Sequence, residues 1–170
     1  MIEDAAEPIV VFLSGSETHL TEALKARFAG PGKNSMNAEF VDTNILIYAH
    51  DGSAGDKHQK SVVLLERLLE QGNAATSMQV LTEFYAAATR KLKMKPEDAE
   101  EVLRDMQSWN LHRLSFMDLM AASRLHQRYK VSFWDALILN SALELGCEVL
   151  WTEDLSNGQK YGNVLVRTPF

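Results

Sequence analysis

Short β-favouring runs separated by stretches of helical spacing constrain this chain more than any other feature of its sequence. Glu39-Phe40-Val41 reads as a buried strand, Ala74-Ala75-Thr76 as a short second, Trp109 to Leu114 as a third and Glu148-Val149-Leu150-Trp151-Thr152 as the strongest; Val164-Leu165-Val166 reads as a weak edge strand. Between them, Ile45 to Ala49, Val62 to Leu69, Val80 to Ala88, Met117 to Tyr129 and Phe133 to Leu145 carry apolar residues at helical spacing, with Gly72 and Gly146 as stops. Pro96-Glu97-Asp98 opens a further helix with proline and acid in its first turn. Strand, helix, strand order requires right-handed crossovers, so an α/β fold is expected, a three-layer arrangement with a central parallel sheet of four to five strands flanked by helices.

The 170 residues suffice for one domain of ordinary size. The break Gly30-Pro31-Gly32-Lys33-Asn34-Ser35 divides the chain. We expect a domain over residues 36–170, preceded by an extension over residues 1–35 that is either an added arm or an overextended gene start. Within that extension, Leu20, Leu24 and Phe28 are spaced for one short amphipathic helix. The apolar run Ile9 to Leu13 is too short to span a bilayer and follows an acidic segment, so neither membrane nor export is expected. The single cysteine, Cys147, cannot form an internal disulfide and fits a reducing, cytoplasmic compartment, most simply as a small core residue.

A net charge of −6 argues against binding nucleic acid through bulk charge. It leaves open an enzyme whose acidic site holds metal ions against a phosphodiester. Four acids are expected to converge on one rim from strand ends and helix starts: Asp42 after the first strand, Glu83 on the helix after the second, Asp135 opening a helix, and Asp154 just past the strong strand. Each also has an ordinary explanation. Asp42 could be only a helix cap, although Thr43 or Asn44 is expected in that position; Glu83 could be an exposed helix residue and Asp154 a turn residue. Ser132-Phe133-Trp134-Asp135 and Ser115-Phe116-Met117-Asp118 both match a capping box, so spacing alone does not choose between Asp135 and Asp118.

The histidines, His19, His50, His58, His112 and His126, are too scattered for a zinc site, and oxygen ligands without thiolates suit Mg²⁺, with Mn²⁺ as a substitute. Two basic runs, Arg90 to Lys95 and Arg124 to Lys130, read as solvated helix ends, and Trp134 as a core residue rather than a platform for a base.

Taken together, FVDTNILIYAHD, SMQVLTEFY, SFWDALILNSAL, LWTEDLSNGQ and the closing Thr168-Pro169-Phe170 resemble the PIN domain, and most closely the VapC-type toxin ribonucleases, in the same order from Met36 to Phe170. Thr168 departs from the family's usual asparagine. The resemblance implies an acidic quartet of Asp42, Glu83, Asp135 and Asp154, supported by Asn44 and Thr152, and leaves Asp118 outside it. It further implies Mg²⁺- or Mn²⁺-dependent cleavage of single-stranded or structured RNA to 5′-phosphate and 3′-hydroxyl ends. In that scheme Asp42, Glu83 and Asp135 bind a first metal directly, and Asp154 binds through water or helps hold a second. The partners implied are an RNA substrate, a cognate antitoxin protein and a second copy in a homodimer. Two other readings stand beside it: a catalytically silent PIN module binding RNA or a protein partner, and a phosphohydrolase of small esters, for which the expected Asp-x-Asp signature is missing at Asp42-Thr43-Asn44.

Overall fold

The computed structural model describes residues 37–170. The extension over residues 1–35 and its Leu20, Leu24 and Phe28 stripe lie outside the described residues. Strand β1 (Glu39–Val41) leads into α1 (Thr43–His50), a 3-10 turn at Gly52–Ala54 and α2 (Asp56–Gln71). Strand β2 (Ala74–Ser77) leads into α3 (Met78–Arg90) and α4 (Pro96–Met106), and β3 (Asn110–His112) into α5 (Phe116–Tyr129) and α6 (Phe133–Glu144). The chain closes through β4 (Val149–Trp151), β5 (Lys160–Tyr161) and β6 (Val164–Arg167).

Among the described residues the strands form one sheet in the order β3-β2-β1-β4-β6-β5, parallel except for the β5 and β6 pair. This is the expected α/β architecture with one strand more than foreseen. Val164 to Val166 does not form the edge: β6 lies between β4 and β5, and the edge on that side is the two-residue β5. The turn between β5 and β6 is Gly162-Asn163, where Gly162 takes φ +62°, a conformation open to residues without a Cβ.

Helix α1 packs on α2 and α3, α3 on α4, and α5 on α6, while α2, α3 and α6 all reach β2. Between helices and sheet lie Phe40, Ile45, Leu46, Leu68, Phe84, Leu139 and Leu150, all fully buried. Helix α6 is buried continuously from Ala136 to Ala142, which explains why its apolar residues show no one-sided stripe. Cys147 is fully buried at the approach to β4, and burial pushes its thiol up to about 12.

At the start of β1, Glu39 ties three elements together. Its carboxylate accepts two parallel bonds from Arg67 of α2 at 2.9 and 2.8 Å, one from the Trp151 indole of β4 at 2.6 Å, and a longer one from Asn73 at 3.4 Å. Burial pushes the Glu39 carboxyl up, but these donors, Arg67 above all, hold it below the usual range. Replacing Glu39 by Ala leaves the partly covered guanidinium and indole without their acceptor. A loss of roughly 2 to 3 kcal/mol in urea unfolding is expected; a loss under about 0.5 kcal/mol would mean the cluster behaves as a surface ion pair.

Candidate metal-dependent active site

The chain leaves β1 at Val41 and enters α1 at Thr43, so Asp42 is fixed from both sides. Its N–H donates to the Trp151 carbonyl of β4 at 3.1 Å, and its carboxylate accepts from the Thr43 N–H at 2.6 Å as the N-cap of α1. The cap expected at Thr43 or Asn44 is therefore one residue earlier. A carboxylate on a short side chain accepts well at that position, and the helix dipole favours its charge there. Asp42 is nonetheless more than a cap. It is only 3% exposed, and its other oxygen accepts from the Thr152 hydroxyl at 2.7 Å and the Asn44 amide at 3.2 Å.

Asn44 and Thr152 join Asp42 to Asp154. The Asn44 amide nitrogen also reaches Thr152 Oγ1 at 3.1 Å and an Asp154 carboxylate oxygen at 3.0 Å, while the Asp154 N–H donates to Thr152 Oγ1 at 3.1 Å. Thr152 is 1% exposed, so its hydroxyl holds a fixed place at the end of β4. Asp154, not its neighbour Glu153, faces this group, because Glu153 is held elsewhere. Tyr48 of α1 donates a very short hydrogen bond to one of its oxygens, and Lys57 of α2 pairs with the other at 2.5 Å. The Lys57 ammonium also lies over the rings of Tyr48 and Phe170, 4.5 and 5.0 Å from their centroids.

Glu83 enters from α3. The Thr43 hydroxyl donates to one of its oxygens at 2.8 Å, and Gln79, one turn earlier on the same helix, donates to the other at 2.9 Å. Burial pushes the Asp42 carboxyl up to about 7, and the negative charges of Asp154 and Glu83 add to the rise, against the hydrogen bonds from Thr152 and the Thr43 N–H that favour the ionised form. Asp42, Glu83 and Asp154 thus share one electrostatic neighbourhood, with Asn44 and Thr152 inside it.

Asp135 shares no hydrogen bond with the other three and is not among the charges that raise Asp42. It lies in the first turn of α6, where its N–H donates to Ser132 Oγ and its carboxylate accepts the Ser132 hydroxyl at 2.7 Å. Gln79, which donates to Glu83, reaches the start of α6 only at the Trp134 carbonyl, at 3.4 Å. Among the described residues no group of three or more His, Cys, Asp or Glu side chains is close enough together to hold a metal ion. Asp118 has a different employment. It is 8% exposed, completes the full capping box of α5 with Ser115, and accepts from Asn140 at 2.9 Å. Trp134, expected in the core, is 64% exposed.

Sequence reading did not single out Thr43 as the anchor of Glu83, nor Gln79. The spacing of Gln79 four residues before Glu83 on one helix face was the available signal.

The sequence model of the PIN domain matches residues 40–156. The chain belongs to the PIN domain family. Solved structures agree at the level of the fold. One is a toxin-antitoxin complex from Klebsiella pneumoniae, with a TM-score of 0.57 and 23% identity over 78% of this chain and 98% of that one. Another is VapBC2 from Rickettsia felis bound to a DNA fragment from their promoter, with a TM-score of 0.56 and 19% identity over 77% of this chain and 98% of that one. A third is VapC20 from Mycobacterium tuberculosis, a sarcin-ricin loop cleaving toxin, with a TM-score of 0.53 and 21% identity over 66% of this chain and 87% of that one. No curated protein matches the sequence. Among the described residues no helix is long and apolar enough to cross a membrane.

The chemistry of the donors suits the hard divalent cation that PIN nucleases generally use, although their side chains are not gathered into a ready-made cage. Asp42, Glu83 and Asp154 offer only oxygen, and Asn44 Oδ1 beside them is buried without a hydrogen-bond donor.

Proposed function

We propose that this PIN domain is a divalent-metal-dependent endoribonuclease, the toxin of a toxin-antitoxin pair, acting in the cytoplasm as a homodimer restrained by a cognate antitoxin. The observation that carries the reading is the buried Asp42 carboxyl at the end of β1, raised by burial and by the charges of Asp154 and Glu83. A fold does not need mutually repelling acids around a buried carboxylate. At about 5 Å and an effective dielectric near 20, each such pair costs roughly 3 kcal/mol. Such a grouping is typical of a site that binds a cation.

In this reading Asp42, Glu83, Asp154 and Asp135 would hold Mg²⁺ or Mn²⁺. The bound cation supplies a lowered pKa for water and Lewis acidity toward a phosphodiester oxygen. The chain's own residues set the stage for that chemistry. Asn44 fixes the spacing of Asp42 and Asp154, Thr152 donates to Asp42 and so keeps one oxygen in place, and Thr43 with Gln79 orients both oxygens of Glu83. Tyr48 and Lys57 keep Glu153 from competing with Asp154. The homodimer is supported by Phe116, Met117 and Met120 near the start of α5, which are 72%, 66% and 44% exposed.

The alternative of a silent PIN module binding RNA or a protein partner draws on the engagement of Asp135 with Ser132 rather than with the other acids. One assay decides between them. The purified chain incubated with 5′-labelled RNA is expected to cut it in Mn²⁺ or Mg²⁺ and not in EDTA, leaving 3′-hydroxyl ends on the labelled fragments. Intact RNA with either metal would end the nuclease reading.

A further inference from the structure

Beside Glu83, between α3 and the start of α6, lies an open cleft of about 600 Å³ lined by Met78, Gln79, Thr82, Glu83, Leu114 and Trp134. Its size is that of a small-ligand site. We propose that this cleft seats one unpaired nucleobase of the RNA, stacked on Trp134 and read by Gln79, next to the bond to be cut. The inference rests on the ribonuclease reading and names what that site recognises besides a phosphodiester.

Two independent observations meet here. The first is Trp134, whose side chain is 64% exposed although its neighbours Ala136 and Leu137 are buried. Phe133 packs against it edge to face, with ring centroids 6.4 Å apart. A flat indole beside a carboxylate cluster is a platform on which any base can stack.

The second is Gln79, only 8% exposed. Its amide nitrogen faces two acceptors, Glu83 Oε1 and the Trp134 carbonyl, so the orientation of the amide is set by its partners. That leaves Gln79 Oε1 buried without a donor. An unpaired buried acceptor is costly, and a ligand N–H is what would satisfy it.

The chemistry of the wall selects the occupant. No lysine or arginine lines the cleft and Glu83 does, so a phosphate or an acidic peptide would be repelled. An apolar side chain, from a second copy or another partner, would leave Gln79 Oε1 unsatisfied. A neutral aromatic ring with N–H on its edge meets both demands, and the exocyclic amino groups of adenine, cytosine and guanine present two such hydrogens beyond the ring where uracil has only its imino N3–H, so the amino bases are favoured.

The test reads binding apart from cleavage. Fluorescence anisotropy of labelled RNA hexamers, oligoadenylate, oligocytidylate and oligouridylate, is measured on the full chain carrying Asp42→Asn. Adding Trp134→Ala should weaken oligoadenylate binding roughly ten- to hundredfold, and Trp134→Phe should restore most of it. Adding Gln79→Leu should erase a roughly fivefold preference for oligoadenylate and oligocytidylate over oligouridylate. The proposal falls if Trp134→Ala binds like its parent, or if Gln79→Leu leaves the preference intact. It also falls if Trp134→Ala turns a dimer into monomers in sedimentation equilibrium with RNA affinity unchanged, which would make a second copy the occupant. A wild-type chain that fails to cut RNA in Mn²⁺ would end the nuclease reading, while these affinities would still decide this one.

Discussion

Asp42→Asn is expected to lower RNA cleavage roughly a thousandfold or more while leaving the metal-free protein as stable as the parent, or more stable, at pH 8. The loss of activity follows from removing the central anionic ligand, since a bound cation contributes several kcal/mol to stabilising the reaction's transition state. The stability half follows from linkage. Asp42 titrates at about 7 in the folded chain against an ordinary 3.8. Between those values the native state holds a proton that the unfolded state has released. The contribution is therefore fully present below about pH 3.8 and is lost as pH rises through 7. A gap of about three pH units, at about 1.4 kcal/mol each, makes the loss up to about 4 kcal/mol. Asparagine caps a helix as well as aspartate and carries no charge, so the variant should show a flat melting temperature from pH 5 to 8 in EDTA where the parent declines. Mn²⁺ should raise the parent's melting temperature at pH 8 and leave the variant's nearly unchanged. A variant clearly less stable than its parent at pH 8 in EDTA would reduce Asp42 to a structural cap.

Asn44→Asp is the second change of large effect. The Asn44 amide donates toward Asp42, Thr152 and Asp154. An aspartate there offers no donor and places a third negative charge between two others. Loss of these bonds and added repulsion should cost the metal-free fold roughly 2 to 4 kcal/mol at neutral pH. Cleavage should fall at least about a hundredfold, since both Asp42 and Asp154 lose their spacer. Asn44→Ala provides the comparison, because it removes the donor without adding charge. Equal melting temperatures for the two variants in EDTA would show that the charges of Asp42 and Asp154 do not reach position 44.

Most of the sheet could be read from the sequence because β1, β2 and β4 are short runs bounded by helical spacing, and their burial supplies the pattern. Strand β5 could not. Lys160 and Tyr161 are too few to make a run, and they become a strand only through antiparallel pairing with Leu165 and Val164 across Gly162-Asn163. That same pairing moves β6 away from the edge. Trp134 misleads for a different reason: with Phe133 it heads the apolar run of α6, but burial on that helix starts only at Ala136. Within the candidate site, Asp42 was legible from its place after a strand. The preference for Asp154 over Glu153 rests on Tyr48 and Lys57, roughly a hundred positions earlier, which no local pattern connects to it. Thr43 and Gln79 were overlooked because a threonine after a strand and a glutamine on a helix have many ordinary uses.

The sealed position of Cys147 gives the protein an internal clock for opening. The thiolate is the species that reacts with maleimides, and a buried thiol held near 12 presents almost none of it. With no other cysteine in the chain, and with reagent in enough excess that labelling outruns reclosing, alkylation of the folded protein should proceed as fast as the region around β4 comes apart, so mass spectrometry of the modified fraction reads that opening rate. By the same token, a cysteine introduced on an exposed helix can carry a spectroscopic label without first removing the natural one.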